Sequence, residues 1–288
     1  MDPILAYSLV TVAVIMFGLQ FFFNSGYQKE SGNDMIASMM FTLLSSITGV
    51  ICLGIINGFD FYCTWFTLLM AALTALNSFL FTVCSLKSLA KINLSLYSLF
   101  SMLGGMMLPF VAGLLFFDES MTLGKGLCLV FVIAALALTV NKGTNKGGIL
   151  YYCGIFVLNG MSGVLSTIYQ RSAYEKATAA GYSLWSAIVS VAVAAVCLGF
   201  MWRKVRRPSW KAVAFSVGGG TLSRVANYVL LLSLAVLPAS IQYPFITGGV
   251  MIVSTVIAAI AGQKPSKKEI LSVALAFVGV LVLVLVPV

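Results

Sequence analysis

Ten long apolar runs, separated by short segments that carry charge, Gly, Pro or Asn, constrain this chain more than any other feature. A helix needs about 20 apolar residues to cross a bilayer, and each run has roughly that length. Of the 288 residues, 60% are hydrophobic and 9% are charged, which leaves too few charges to cover a water-facing surface. The sequence predicts an all-α integral membrane protein with ten transmembrane helices, over residues 4–27, 35–57, 64–86, 93–117, 121–140, 148–171, 181–202, 211–235, 239–262 and 269–287.

The polar composition excludes several kinds of chemistry. The chain has no histidine, which removes Ser-His triads, histidine-zinc sites and histidine-ligated haem. Its six cysteines form no CxxC pair and lie mostly within apolar runs, so we expect neither a disulfide framework nor a metal site. No cluster of acids or cysteines has catalytic spacing at a membrane surface. We therefore expect no enzymatic activity, no metal and no cofactor.

The basic residues predict an orientation in the membrane. The net charge of +9 comes from short loops, which is typical of the cytoplasmic side of a membrane protein rather than of nucleic-acid binding. Of 17 basic residues, 13 follow spans 1, 3, 5, 7 and 9, in the loops at 29, 87–91, 142–146, 203–211 and 264–268. These loops are predicted to be cytoplasmic and both termini to lie outside the cell membrane. The first run predicts a spanning helix rather than a signal peptide, because it lacks a positive n-region.

The two halves of the chain resemble each other. Residues 17–20, followed by Tyr27-Gln28-Lys29, return 142 positions later as residues 159–162, followed by Tyr169-Gln170-Arg171. The sequence therefore predicts a five-helix repeat over residues 1–141, a linker over 142–147 and a second five-helix repeat over 148–288. Since five is odd, the second repeat enters the membrane in the opposite direction. Such inverted repeats are common in transporters, with the substrate near mid-membrane.

Several segments carry a resemblance to a known family. They are LSLYSLFSMLGG at 94–105, GLLFFDES at 113–120 and SIQYPFITGG at 240–249. The chain resembles the drug/metabolite transporter superfamily and its ten-helix, EamA-type members. The resemblance implies two five-helix repeats, and that the first helix of each repeat borders the substrate path.

Arg224 is the most informative single residue. It falls near the middle of the span at 211–235, where an ionised group costs at least a few kcal/mol unless it is paired or hydrated. All eight acids lie in loops or at span ends, so Arg224 has no obvious internal counter-ion and is a candidate to bind a carboxylate, sulfonate or phosphate. The alternative is that it bonds helix carbonyls and hydroxyls. Asn227 and Tyr228 share its helix face and are candidate substrate ligands.

Two polar stripes provide further candidates. Asn159, Ser162 and Ser166 lie on one face of the sixth span, and Gln20 marks the matching face of the first. Tyr243 and Thr247 form a shorter stripe on the ninth span. Lipid cannot bond these groups, so they must face protein or water. They either line a substrate cavity or hold helices together.

Glycine clusters predict where helices approach closely. They are the pairs Gly104-Gly105 and Gly248-Gly249 and the triplet Gly218-Gly219-Gly220. Small residues at these positions let helix backbones come close in a membrane.

The features favour an alternating-access secondary transporter of a small polar metabolite, anionic or zwitterionic, embedded in the lipid bilayer. One alternative is efflux of drugs or amphiphiles, suggested by 13 methionines. Another is a membrane scaffold or assembly subunit without transport. No acid lies at the centre of a predicted span, which disfavours proton-coupled cation export, although Asp34 or Glu119 at span ends could still titrate. Monomer and homodimer both remain open.

Overall fold

The predicted helical class is confirmed in a computed structural model, which describes residues 3–32, 34–89, 94–138, 149–205, 207–260 and 267–286. No strand occurs in these ranges. Their α-helices are α1 (Pro3–Ser31), α2 (Met35–Ile56), α3 (Trp65–Leu89), α4 (Leu94–Phe116), α5 (Leu123–Leu138), α6 (Ile149–Arg171), α7 (Ala179–Phe200), α8 (Trp210–Ser233), α9 (Ala239–Ile260) and α10 (Lys267–Leu285). The helices follow the apolar runs, and their ends differ from the predicted ones by a few residues.

Four stretches of helix among the described residues are long and apolar enough to cross a membrane. They are Ile4–Ser31, Met35–Ile56, Ala179–Phe200 and Ala239–Ile257. Shorter apolar stretches of 10–17 residues lie within α3, α4, α5 and α10. Large hydrophobic side chains such as Ile4, Leu115 and Phe200 are strongly exposed on the helix surfaces. Exposed apolar faces of this kind suit a lipid environment.

Several helices begin with a side-chain cap. Asp34 accepts a hydrogen bond from the Ala37 amide at the start of α2. Thr178 and Ser209 cap α7 and α8 in the same way. Each cap satisfies one of the four amides that the first turn of a helix leaves unpaired. The capping role of Asp34 gives its carboxylate a structural partner at the end of the span.

The helices of the two halves pack mainly against each other. α1 contacts α8 and α9, α2 contacts α7 and α8, α3 contacts α6 and α7, α4 contacts α6 and α9, and α5 contacts α10. Each helix of the first half corresponds to the helix five later in the second half, so that α1 corresponds to α6 and α3 to α8. When every helix is replaced by its counterpart, the α1–α8 pair becomes α6–α3 and the α1–α9 pair becomes α6–α4. The pairs α2–α7, α4–α9 and α5–α10 are unchanged by the exchange. These pairs therefore form the same pattern from either half, whereas the smaller α5–α9 contact has no counterpart of similar size between α10 and α4.

Glycine permits close helix contacts in all three predicted clusters, since a Cβ atom on at least one glycine of each would lie less than 3.0 Å from an atom of a neighbouring helix. A Cβ atom on Gly104 would lie 2.0 Å from the carbonyl oxygen of Phe156, where α4 meets α6. A Cβ atom on Gly220 would lie 2.5 Å from Ser45 Cβ, where α8 meets α2. Neither distance is possible for real atoms, so these helices can approach only because the residues are glycine.

Gly104→Ala tests the α4–α6 contact. The new methyl group meets backbone, which cannot rotate away, so we expect the free energy of unfolding to fall by about 1–3 kcal/mol. The midpoint of thermal unfolding in detergent measures the change. Gly199→Ala is the matched control, because a Cβ atom at Gly199 has nothing within 4 Å. Equal midpoints for the two variants would contradict the close approach.

Candidate functional site

Arg224 lies near the middle of α8 and faces α2. Its Nη2 atom donates a hydrogen bond to the Ser46 hydroxyl at 2.6 Å. Its carbon stem crosses Gly49, where a Cβ atom would come within 2.8 Å of Arg224 Cγ. Gly49 thus makes room for the side chain, and Ser46 orients one edge of the guanidinium group.

A small cavity of about 30 Å³ adjoins Arg224 between α2, α3, α7 and α8. Two of these helices come from each half of the chain. The hydroxyl-bearing residues in its wall are Thr42, Ser78 and Ser190, and the apolar ones are Met39, Ala75, Phe79, Val193 and Ala194. The wall therefore combines one cation with hydroxyl groups and an apolar surface.

The guanidinium group of Arg224 has no acidic partner among the described residues. The ion pair found in those residues joins Arg171 to Glu119, away from the cavity. Ser46 is uncharged, so its hydrogen bond leaves the charge of Arg224 uncompensated. Arg224 is half-buried, and an arginine in such a position attracts an anion, because taking a charge out of water is costly without a counter-charge.

Asn227 and Tyr228, the predicted companions of Arg224, do not line this cavity. Asn227 is exposed and donates to the Ser223 carbonyl in its own helix at 2.8 Å. Tyr228 packs against a cluster of buried residues that includes Leu53 and Leu184. It therefore helps to hold α8 against α2 and α7.

The predicted stripe on α6 is bonded to backbone. Asn159 Nδ2 donates to the Ser101 carbonyl in α4 at 2.6 Å, which joins the two helices. Ser162 donates to the Asn159 carbonyl and Ser166 to the Ser162 carbonyl, both within α6. In this conformation the stripe serves helix packing and local bonding.

The remaining candidates lie on α1 and α9. The Tyr243 hydroxyl donates to the Gly163 carbonyl at 2.9 Å, which joins α9 to α6. Gln20 and Thr247 are half-buried, and neither lines the cavity. Of the nine predicted site residues, only Arg224 lines the cavity.

The sequence analysis did not select the residues that surround Arg224. Ser46 and Thr42 both lie on α2, four residues apart, and Ser38 continues the same face by another four. This spacing places the three hydroxyl groups on one side of a helix, which is a signal that the sequence does contain. The side chains from α3 and α7 carry no comparable pattern.

A second feature is a cluster of stacked aromatic rings where α6 and α7 meet α3. The rings of Tyr169 and Tyr182 stack with centroids 3.9 Å apart, and the Phe66 ring lies parallel to that of Tyr169 with centroids 5.8 Å apart. The Tyr169 hydroxyl donates to the Ala177 carbonyl at 2.7 Å and lies 3.2 Å from the Thr67 hydroxyl. The cluster joins the two halves at the end of the molecule where α3 begins.

The loop between α6 and α7 is held at the same end. Glu175 accepts a hydrogen bond from the Tyr62 hydroxyl, and this bond raises the pKa of Tyr62. Burial lowers the pKa of Lys176, whose Nζ donates to three carbonyl oxygens at the end of α6, those of Tyr169, Gln170 and Ser172. A cation at this position also complements the helix dipole.

Glu119, in the loop between α4 and α5, has a buried carboxylate that contacts residues of the second half of the chain. Its side chain is only 4% exposed and lies 3.5 Å from Arg171 at the end of α6. Its two oxygens accept hydrogen bonds from the Ala239 and Ser240 amides, at 2.8 and 2.9 Å. Glu119 therefore caps α9 from another part of the chain, since Pro238, which precedes the helix, has no side-chain acceptor.

Comparisons with known proteins report on the fold alone. No family model matches the chain, and no curated protein matches it. A solved crystal structure of a protein is similar, with a TM-score of 0.81 over 98% of this chain and 96% of that chain. The two sequences are 14% identical over this alignment. The backbone arrangement is thus shared with a known structure at low sequence identity.

Glu119→Gln tests the cap on α9. The substitution keeps the size of the side chain and removes the charge that faces Arg171 and two helix amides. We expect the free energy of unfolding to fall by about 2 kcal/mol. Thermal unfolding in detergent measures it, with Asp118→Asn as the control, because Asp118 is exposed and asparagine tolerates its positive φ of 53°. An unchanged midpoint for Glu119→Gln would show that the contacts contribute nothing.

Proposed function

We propose that this protein is a secondary membrane transporter, an alternating-access carrier of a small polar metabolite that is anionic or zwitterionic. The observation that carries the proposal is Arg224, a cation without a described acidic partner beside a cavity between the two halves. A charge in the middle of an apolar helix is costly, so it marks a functional site by default. Membership of the drug/metabolite transporter superfamily is part of the proposal and rests on the resemblance of the sequence.

We propose further that all ten helices span the membrane, as two inverted five-helix repeats. The exchange pattern of helix pairs supports this arrangement, because related halves are expected to make equivalent contacts. A carrier of this design rocks one repeat against the other around a central site. The aromatic cluster and Glu119 join the halves at one end, which suits a conformation closed at that end.

A scaffold without transport is the second candidate, and a specific observation favours it. Asn159 and Tyr243, two predicted cavity residues, bond carbonyls of neighbouring helices instead. A scaffold has no need for a half-buried cation beside a cavity, however. The position of Arg224 therefore favours transport over a purely structural role.

Counterflow into proteoliposomes tests the transport proposal. The assay uses a panel of labelled organic anions and amino acids, with protein-free liposomes as the background. We expect Arg224→Gln to lower the flux of the transported compound by about tenfold, because the substrate loses a charge-assisted contact. Arg207→Gln, in the exposed loop before α8, is the matched control and should transport normally. Unchanged flux in a correctly inserted Arg224→Gln variant would remove this site.

Labelling of single cysteines tests the proposed orientation. In a cysteine-free background, Ser120→Cys and Arg203→Cys each place a thiol at an exposed position, in the loops after α4 and α7. The distribution of basic residues predicts that a membrane-impermeant maleimide added to intact cells labels Ser120→Cys and not Arg203→Cys. The opposite pattern would reverse the orientation.

A further inference from the structure

The segment that joins α7 to α8 exposes aromatic and basic side chains. Trp202 is 79% exposed and Trp210 is 83% exposed. Arg203, Lys204 and Lys211 are exposed as well. We call these five side chains the interfacial patch. Tryptophan is highly buried on average, so two exposed rings in one segment indicate a surface that contacts a partner.

The interfacial patch lies in a strongly basic part of the chain. Residues 203–211 contain five basic residues, and no acid occurs in the sequence between Glu175 and Glu269. An acid reaches the segment from α1, where Glu30 accepts a hydrogen bond from the Ser209 hydroxyl at 2.8 Å. Ser209 caps α8, so this contact holds the start of the helix. A single carboxylate leaves most of the positive charge uncompensated, and the segment therefore attracts anions.

The length of α7 places the interfacial patch at the level of lipid headgroups. α7 has 22 residues and is long and apolar enough to cross a membrane. At 1.5 Å per residue it is about 33 Å long, which is close to the hydrocarbon thickness of about 30 Å. The helix ends at Phe200, which is 89% exposed. Trp202 and Arg203 therefore lie where the acyl chains end and the phosphate groups begin.

Tryptophan, arginine and lysine together match the chemistry of an anionic headgroup. The indole ring favours the interface, where its apolar body contacts acyl chains and its N–H group donates to polar atoms. Arginine and lysine donate charge-assisted hydrogen bonds to phosphate oxygens. Each basic residue near an anionic membrane surface strengthens binding by about fivefold. A zwitterionic headgroup carries its own cation, so it offers these residues less net attraction.

We propose that the interfacial patch binds anionic phospholipids of the phosphatidylglycerol type in preference to zwitterionic ones. Arg203, Lys204 and Lys211 contact the headgroup phosphate, and the two tryptophan rings contact the glycerol and the upper acyl chains. The patch thereby fixes the end of α7 and the start of α8 at the membrane surface. Lipid binding of this kind does not depend on whether the protein transports a metabolite.

Titration of the purified protein with lipid tests the preference. The protein in a non-ionic detergent is mixed with phosphatidylglycerol or with phosphatidylcholine that carries the same acyl chains. The rise in the midpoint of thermal unfolding gives the half-saturating lipid concentration, and native mass spectrometry counts the lipids that stay bound. We expect this concentration to be at least about tenfold lower for phosphatidylglycerol. Equal values for the two lipids would overturn the proposal.

Two double variants that remove the same charge locate the binding. Arg203→Gln with Lys204→Gln should raise the half-saturating concentration of phosphatidylglycerol by about tenfold and leave that of phosphatidylcholine unchanged. Lys267→Gln with Lys268→Gln is the matched control, because these lysines are exposed at the start of α10 in a segment without tryptophan. It should change either value by less than about threefold, since those charges do not contact the headgroup. An equal loss in the two double variants would show that net charge acts rather than the patch, and would reject the proposal.

The tryptophan rings make a separate contribution that can be measured. Trp202→Leu with Trp210→Leu removes the indole N–H groups and keeps apolar side chains. We expect the binding of both lipids to weaken by about threefold, since the rings contact parts that the two lipids share. Both rings are exposed, so the unfolding midpoint without lipid should not change. Unchanged binding, or a loss for phosphatidylglycerol alone, would contradict the role of the rings.

Soluble anions distinguish a lipid surface from other anion sites. Inorganic phosphate or a short single-stranded RNA is added to the complex with phosphatidylglycerol at constant ionic strength. We expect neither to displace the lipid, because neither has acyl chains for the tryptophan rings to contact. Displacement by phosphate would indicate a site for a free anion, and displacement by RNA would indicate a nucleic-acid surface. Either result would reject the proposal.

Discussion

An ionised side chain that leaves water needs a counter-charge, hydrogen bonds or a wet cavity, and this requirement governs the arrangement of the polar groups in this protein. Glu119 satisfies it with Arg171 and two amides of α9, and in doing so joins the two halves at one end. Arg224 satisfies it only in part, with the neutral hydroxyl of Ser46. The difference separates a structural charge from one that is available to a ligand, and it is the reason that the proposed substrate carries a negatively charged group.

The close approach of helices decides where that available charge can lie. Gly220 brings α8 against Ser45 of α2, and Gly49 leaves room for the stem of Arg224 in the same interface. With larger residues at these two positions, α2 and α8 would separate and the guanidinium group would lose its fixed position. The position of Arg224 beside the cavity therefore depends on the close contact of α2 with α8 as well as on polar side chains. Transport by rocking of the repeats, as proposed, would have to preserve this contact or remake it.

For several polar side chains, the sequence allowed either a position in a substrate cavity or a hydrogen bond that holds helices together. The stripe on α6 was compatible with a cavity or with helix packing, and Asn159 bonds a carbonyl of α4 while Ser162 bonds its own helix. Sequence periodicity could not decide between these outcomes, because it specifies a helix face and not what the face meets. Ser46 illustrates the converse, since its spacing from Thr42 was visible and its partner was 178 residues away in the chain.

The sequence by itself determined the helical class, the approximate helix ends and the isolation of Arg224, because hydropathy and charge act locally along the chain. It also indicated where glycines would permit close contact. Only the tertiary structure decided that Ser46 and Gly49 meet Arg224, that four helices line a cavity of about 30 Å³, and that Glu119 caps α9. These contacts join residues far apart in sequence, and their geometry depends on how the helices pack rather than on any local pattern.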